Sequence, residues 1–218
     1  MTSPDGIDAA TLTSMFEALL AKHEVPIERV ADGRLVFMAE AGGRPCDALI
    51  YCQDVETGDP EDDPVPMVLV EVAYFPHLID ITRDIYQSAA SILMLLSPDV
   101  ALGSIELDPE EPQLRIRVPL LISCDSKPAS AMLMSTLVGA LDSLDECVPI
   151  LIDVLENGVH PAHAYVAARI GGADPETASD LERGRWLWLL EGAVAHYSQD
   201  EDPRLAELEP LLKRLAAA

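Results

Sequence analysis

The sequence predicts an α+β fold: an antiparallel five-stranded sheet with helices on one face (α-β-β-β-α-β-β-α), plus a C-terminal helical hairpin. Three observations lead there. Five short segments alternate apolar and polar residues or are rich in β-branched ones, and segments of helical period interleave with them. Every direct strand-to-strand link is too short for a parallel crossover. The hydrophobic fraction is 49% over 218 residues, enough for a packed core.

The elements follow in order. Over residues 8–24, Leu12, Met15, Phe16, Leu19 and Leu20 recur on one helical face, with Asp8 as the expected N-cap and Pro26 as the stop. LVFMAEA (35–41) reads as a strand ending at the turn signal Gly42-Gly43. PCDALIYCQDV (45–55) sets Cys46, Ala48, Ile50 and Cys52 on one face and Asp47, Leu49, Tyr51 and Gln53 on the other. ETGDPEDDPVP (56–66) carries three prolines, one glycine and five acids, so it reads as a solvated acidic loop rather than a calcium ladder. PMVLVEVAYF (66–75) is the third strand, with Val68, Val70, Val72 and Tyr74 in phase.

A helix is predicted over about 80–96, where Ile81, Ile85, Ala89, Ile92 and Leu96 form the apolar stripe and Ser97-Pro98 ends it. LGSIELD (102–108) and QLRIRVPLLIS (113–123) are two strands joined by PEEP. In the second, Leu114, Ile116, Val118, Leu120 and Ile122 face one way, Arg115 and Arg117 the other. A long helix starts near Pro128 and carries Met134, Leu137, Val138, Leu141 and Leu144 in register. Pro149 should kink or split it, and Asn157-Gly158 closes it. The expected domains are therefore 1–158 and a helical extension, 159–218. In the extension, Asp174-Pro175-Glu176 reads as a helix start before the stripe Trp186, Leu190, Ala193, Val194 and Tyr197. Pro203 opens a last helix with Leu205, Leu208, Leu211, Leu212 and Leu215.

Charge narrows the partners. There are 38 acids against 14 lysines and arginines, a net charge of -24. Such a field repels phosphate backbones and anionic lipid, so nucleic acid and membrane are not expected as partners, and basic or amphipathic polypeptides are. Acidity also serves solubility, or a salty cytoplasm. MTSPDGIDAATL has neither a basic nor an apolar region of a signal peptide, and no apolar run reaches the roughly 18 residues of a membrane span. Cys46, Cys52, Cys124 and Cys147 form no CxxC pair, so buried thiols in a reducing, cytoplasmic setting are expected.

Chemistry is sparse. There is no GxSxG, no local Cys-His signature and no glycine pattern that cradles phosphate, so no enzyme and no cofactor is predicted. His160-Pro-Ala-His163 has metal-like spacing, with Glu156 or Asp153 as a further ligand, but Pro161 is expected to interrupt the helix that geometry needs, so no metal is predicted. Arg115 and Arg117 are expected to pair with Glu71 or Glu106 across strands; the alternative is a clamp for a small anionic ligand or an enzyme substrate. The sheet face they occupy mixes Glu40, Asp47, Gln53 and Glu71 with Met38, Leu49, Tyr51, Met67 and Leu69. A bare face should be polar throughout, so the apolar five predict a cover: a polypeptide partner, a second subunit or the helical extension. Trp186 and Trp188 point about 200° apart on a helix, so they cannot both enter one core, and one is a candidate interface anchor. A structural subunit of a larger assembly, anchored by this tryptophan-bearing extension, is a further alternative.

The order of elements from LVFMAEA to MVLVEVAYF and SPDV, and the pair IELDPEEPQLRIRVPL (105–120) before a long helix, resemble the YbjN-like family over about residues 8–158. That family is similar in fold to class I type III secretion chaperones. The resemblance implies a non-enzymatic, chaperone-like or regulatory protein, a homodimer that binds an extended client. The extension beyond 158 has no counterpart in such chaperones.

Overall fold

A computed structural model describes residues 7–30, 33–56, 65–74, 83–100, 102–108, 113–122, 130–172 and 177–217. The acidic loop beyond Glu56, the PEEP link, Cys124, the start of the long helix at Pro128 and the Asp174-Pro175-Glu176 signal lie outside the described residues. Contacts divide the chain into two compact units, Met1–Phe75 with Val100–Val148, and Pro76–Asp99 with Pro149–Ala218. The second unit thus takes the helix after the third long strand as well as the C-terminal helices.

The first unit holds a six-stranded sheet in the order β1-β2-β3-β4-β6-β5: β1 Glu28–Arg29, β2 Leu35–Ala41, β3 Arg44–Val55, β4 Val65–Tyr74, β5 Ser104–Asp108 and β6 Gln113–Leu121. Every pairing is antiparallel. The five predicted strands are all present. The sixth, β1, is two residues long, too short to show any alternation. One face is the core. Leu35, Ile50, Val70 and Val118 lie in one cross-strand row, and Phe37, Ala48, Val72, Ile116 and Ile105 in the next, all buried.

The helix α1, Ala9–Lys22, lies on this core face and buries Leu12, Phe16, Leu19 and Leu20. Asp8 caps it as predicted, its carboxylate accepting from Thr11 N at 2.8 Å, which holds that carboxyl below its usual range. Thr13 sits beside the Cys52 thiol, and Ala9 N donates to Asp54 at 3.1 Å, both residues on the core side of β3. Gly42 and Gly43 take φ of +57° and +71°, the left-handed pair that a tight hairpin turn needs.

The second unit is helical. It contains α2 Arg83–Leu96 with a 3-10 turn Ser97–Asp99, the end of α3 (Ser130–Leu155), α4 Pro161–Gly172, α5 Asp180–Gln199 and α6 Leu205–Ala217. Pro149 does not split α3, which is helical on both sides of it. The buried Val148, Ile150 and Leu151 around it offset the single backbone hydrogen bond that proline removes. The boundary between the units nevertheless falls at this residue. In the first unit, α3 buries Leu133, Leu137, Ala140 and Leu144, and Asp145 accepts from Gly42 N at 2.6 Å.

Pro161 opens α4 rather than interrupting a helix, which corrects the expectation for that residue. Proline lacks only an N–H that the first turn leaves unbonded anyway. α5 starts at Ser179, whose side chain and Glu182 form a reciprocal capping box. Among the described residues, no helix is long and apolar enough to cross a membrane.

Candidate functional site

The register of the sheet decides what stands on its outer face. Four neighbouring rows make up its middle, each read from one strand to the next. Met38, Asp47, Ala73, Arg115 and Glu106 make one; Val36, Leu49, Glu71, Arg117 and Ser104 the next. Tyr51, Leu69 and Pro119 make the third, and Gln53, Met67 and Leu121 the fourth. The first two rows hold the charged side chains and the last two are mainly apolar. Leu49 lies at the seam.

Glu71 is the centre of the charged half. It sits 2.7 Å from Arg117 Nε and 3.5 Å from Arg115 Nη1, and Arg117 also reaches Glu106 at 3.1 Å. Both predicted cross-strand acids are therefore used. Pairs of this kind contribute roughly 0.2–1 kcal/mol each, and the shared acid orders both guanidinium groups. Counting Asp47, the half holds three acids and two arginines.

The apolar half gathers four of the five predicted sheet residues. Leu49, Tyr51, Met67 and Leu69 are half-buried and adjacent in register. Met38 stands apart in the charged rows, 62% exposed. Sequence reasoning overlooked Leu121, 65% exposed beside Met67. The signal was present, because Leu121 is in phase with Arg115 and Arg117 along the strand.

The tryptophans belong to the helical unit. Trp186 is buried with Leu190, Ala193 and Tyr197, while Trp188 is 69% exposed. The helical spacing separates them as expected, and only Trp188 is available at the surface.

His160 and His163 are brought together by Tyr197, not by a metal geometry. The Tyr197 hydroxyl accepts from His160 N at 2.8 Å and lies 3.2 Å from His163 Nδ1, so its own proton can be donated there. His196 adds a third imidazole, 5.0 Å from His160 between ring centroids. Burial depresses the His160 pKa, with help from the other two histidines. Burial also depresses that of His163. Among the described residues, no group of three or more His, Cys, Asp or Glu side chains is placed to hold a metal ion. The thiols of Cys46 and Cys52 are raised by burial, Cys46 to about 11 with Asp47, Asp145 and Glu40 adding to the effect, so neither is a ready nucleophile.

No family model matches the chain, and no curated protein or solved structure does.

Proposed function

We propose that the protein is a non-enzymatic binding module of the cytoplasm, chaperone-like or regulatory, which holds a polypeptide partner on the outer face of its sheet and acts as a homodimer. The observation that carries this reading is the apolar half of that face, where Leu49, Tyr51, Met67 and Leu69 adjoin in register and Leu121 stands exposed beside them. A water-facing sheet favours polar side chains, and covering one large apolar side chain gains roughly 1.5–3 kcal/mol. An extended segment laid across this half can bury several of them while its polar groups meet the Glu71, Arg115 and Arg117 cluster.

The net charge of -24 favours a basic or amphipathic client and disfavours nucleic acid and anionic membrane. The element order supports kinship with the YbjN-like and class I type III secretion chaperone-like group, from which the homodimer and the extended client follow. The engagement of Arg117 with Glu71 and Glu106 favours a structural role for the arginine pair over an anion clamp.

Size-exclusion light scattering and native mass spectrometry of the full chain test the proposal. The expected result is a dimer that binds extended basic peptides, and at least tenfold weaker binding by the double variant Tyr51→Glu/Leu69→Glu with an unchanged circular-dichroism spectrum. A monomer that binds no polypeptide, or a double variant that binds as the parent does, overturns it.

A further inference from the structure

In the helical unit, α5 is apolar on two opposite faces. Its inner face buries Trp186, Leu190, Ala193 and Tyr197. Its outer face carries Leu181, 84% exposed, with Trp188 and Ala195, also exposed. These three are spaced by seven residues, the repeat of a seam between two helices. A surface helix keeps its outer side polar, and a helix that is apolar all round is covered all round. Trp188 also borders a groove of about 740 Å³ with Met94 of α2 and His160 before α4, so the described residues leave its ring largely uncovered.

The rest of this stripe matches its own reverse. Gly184 and Gly192 stand one turn before and one turn after Trp188, and Arg185 and Glu191 flank it just inside them. All four are exposed. A Cβ at either glycine would meet nothing within 4 Å, so no contact among the described residues uses the bareness of these two weak helix formers. The Arg185 guanidinium rests 5.9 Å from the centroid of the Tyr165 ring. Among the described residues no carboxylate pairs with it, and no base pairs with Glu191.

We propose, resting on the homodimer of the proposed function, that this stripe is where two copies of the chain meet, α5 antiparallel to α5 of the second copy about a two-fold axis at Trp188. In that arrangement, residues equally far before and after Trp188 stand level with one another. Arg185 stands level with Glu191 of the second copy, and the symmetry repeats the pair, so two ion pairs flank the centre. Gly184 stands level with Gly192, and Leu181 with Ala195. Helical side chains lean toward the N-terminus of their own helix, which carries each indole over Gly192 of the second copy, where the missing Cβ leaves room for a ring. An aromatic anchor at the centre of a patch is where interfaces concentrate their binding energy. The net charge of -24 opposes association, but charges more than about 8 Å apart are largely screened in physiological salt, and the stripe carries one base for one acid.

Sedimentation equilibrium of the full chain over a dilution series reads the dissociation constant of the dimer. Trp188→Ala should weaken the dimer at least about tenfold. Arg185→Glu and Glu191→Arg should each weaken it about tenfold, since each sets like charges together twice. The double variant Arg185→Glu/Glu191→Arg should restore it, because both pairs are then reversed. Glu191→Arg lowers the overall charge, so it would tighten the dimer if net repulsion alone mattered. All three positions are exposed, so the fold survives the changes, and circular dichroism checks this. Tyr51→Glu/Leu69→Glu should dimerise as the parent does. A dimer that Trp188→Ala leaves intact overturns the proposal and leaves the homodimer reading standing with another interface. A double charge variant no tighter than the single ones overturns the antiparallel pairing and the proposal with it. A chain that is monomeric throughout the series overturns the proposal and the homodimer reading together.

Discussion

The sheet unit and the helical unit use polar side chains in opposite ways. In the sheet unit the backbone ladder and one apolar face define the structure, and the polar groups pair with one another on the far side, as Glu71 does with Arg115 and Arg117. In the helical unit, polar groups tie separate helices together. Asp99, after α2, accepts from Tyr165 at 2.8 Å and pairs with Arg169 at 2.7 Å, both on α4. Tyr197 of α5 binds the start of α4, and Arg204, before α6, donates to the carbonyls of Asn157 and Gly158 while pairing with Asp202. Burial, more than the unit a side chain belongs to, sets where substitution is tolerated. On the sheet's outer face, exposed side chains such as Met38 and Leu121 can change with little loss of stability, whereas Glu71 and Arg115, whose side chains are only 12% and 15% exposed, cannot. The inner polar groups of the helical unit are constrained in the same way, since each buried one left unmatched costs about 1–3 kcal/mol.

Gly103 has φ of +82°, and a Cβ there would collide with the Arg117 carbonyl of the neighbouring strand. Gly103→Ala should lower stability by several kcal/mol, since strain of roughly 1–3 kcal/mol adds to a clash with rigid backbone. Chemical denaturation followed by circular dichroism measures it, and a loss under about 1 kcal/mol would show that β5 yields easily. Next, Tyr197→Phe removes one hydroxyl from the helical unit and should cost about 1–3 kcal/mol. Because both tryptophans lie in that unit, their fluorescence reports its unfolding directly. A change within about 0.5 kcal/mol would place the Tyr197 hydroxyl among dispensable contacts. The smallest effect is the pH response. His160 and His163 have folded-state pKa values below the ordinary 6.5, so the unfolded chain takes up protons first as pH falls. Stability of the helical unit is therefore complete above about pH 6.5 and declines as pH drops below it. Fluorescence-detected melting at pH 7.5 and 5.5 should show the decline, smaller in His163→Gln; an identical decline in that variant would remove His163 as a cause.

Much of this was legible residue by residue. The alternation in PCDALIYCQDV and QLRIRVPLL placed Ile50 and Ile116 inward and Tyr51 and Arg117 outward, because a strand's period of two leaves no other assignment once one face is buried. The Asp8 cap and the Gly42-Gly43 turn were readable for the same local reason. The stretch HPAHAYVAARIGG is dominated by alanine and glycine, whose weak local signal does not by itself mark a helix. It forms α4 because Tyr165, Val166 and Ile170 become buried among other helices. The groove was not legible at all. Met94, His160 and Trp188 are far apart in sequence, and nothing local brings them together.

Periodicity, local capping and composition suffice for the strands, most of the helices, the acidic character and the mixed sheet face. Packing between distant segments sets the rest: α2 joins the C-terminal helices in one unit, Pro149 leaves α3 unsplit, and one tryptophan is buried while the other is exposed. Those outcomes turn on contacts between distant segments, whose burial energies outweigh the local preferences that a single stretch of chain can express.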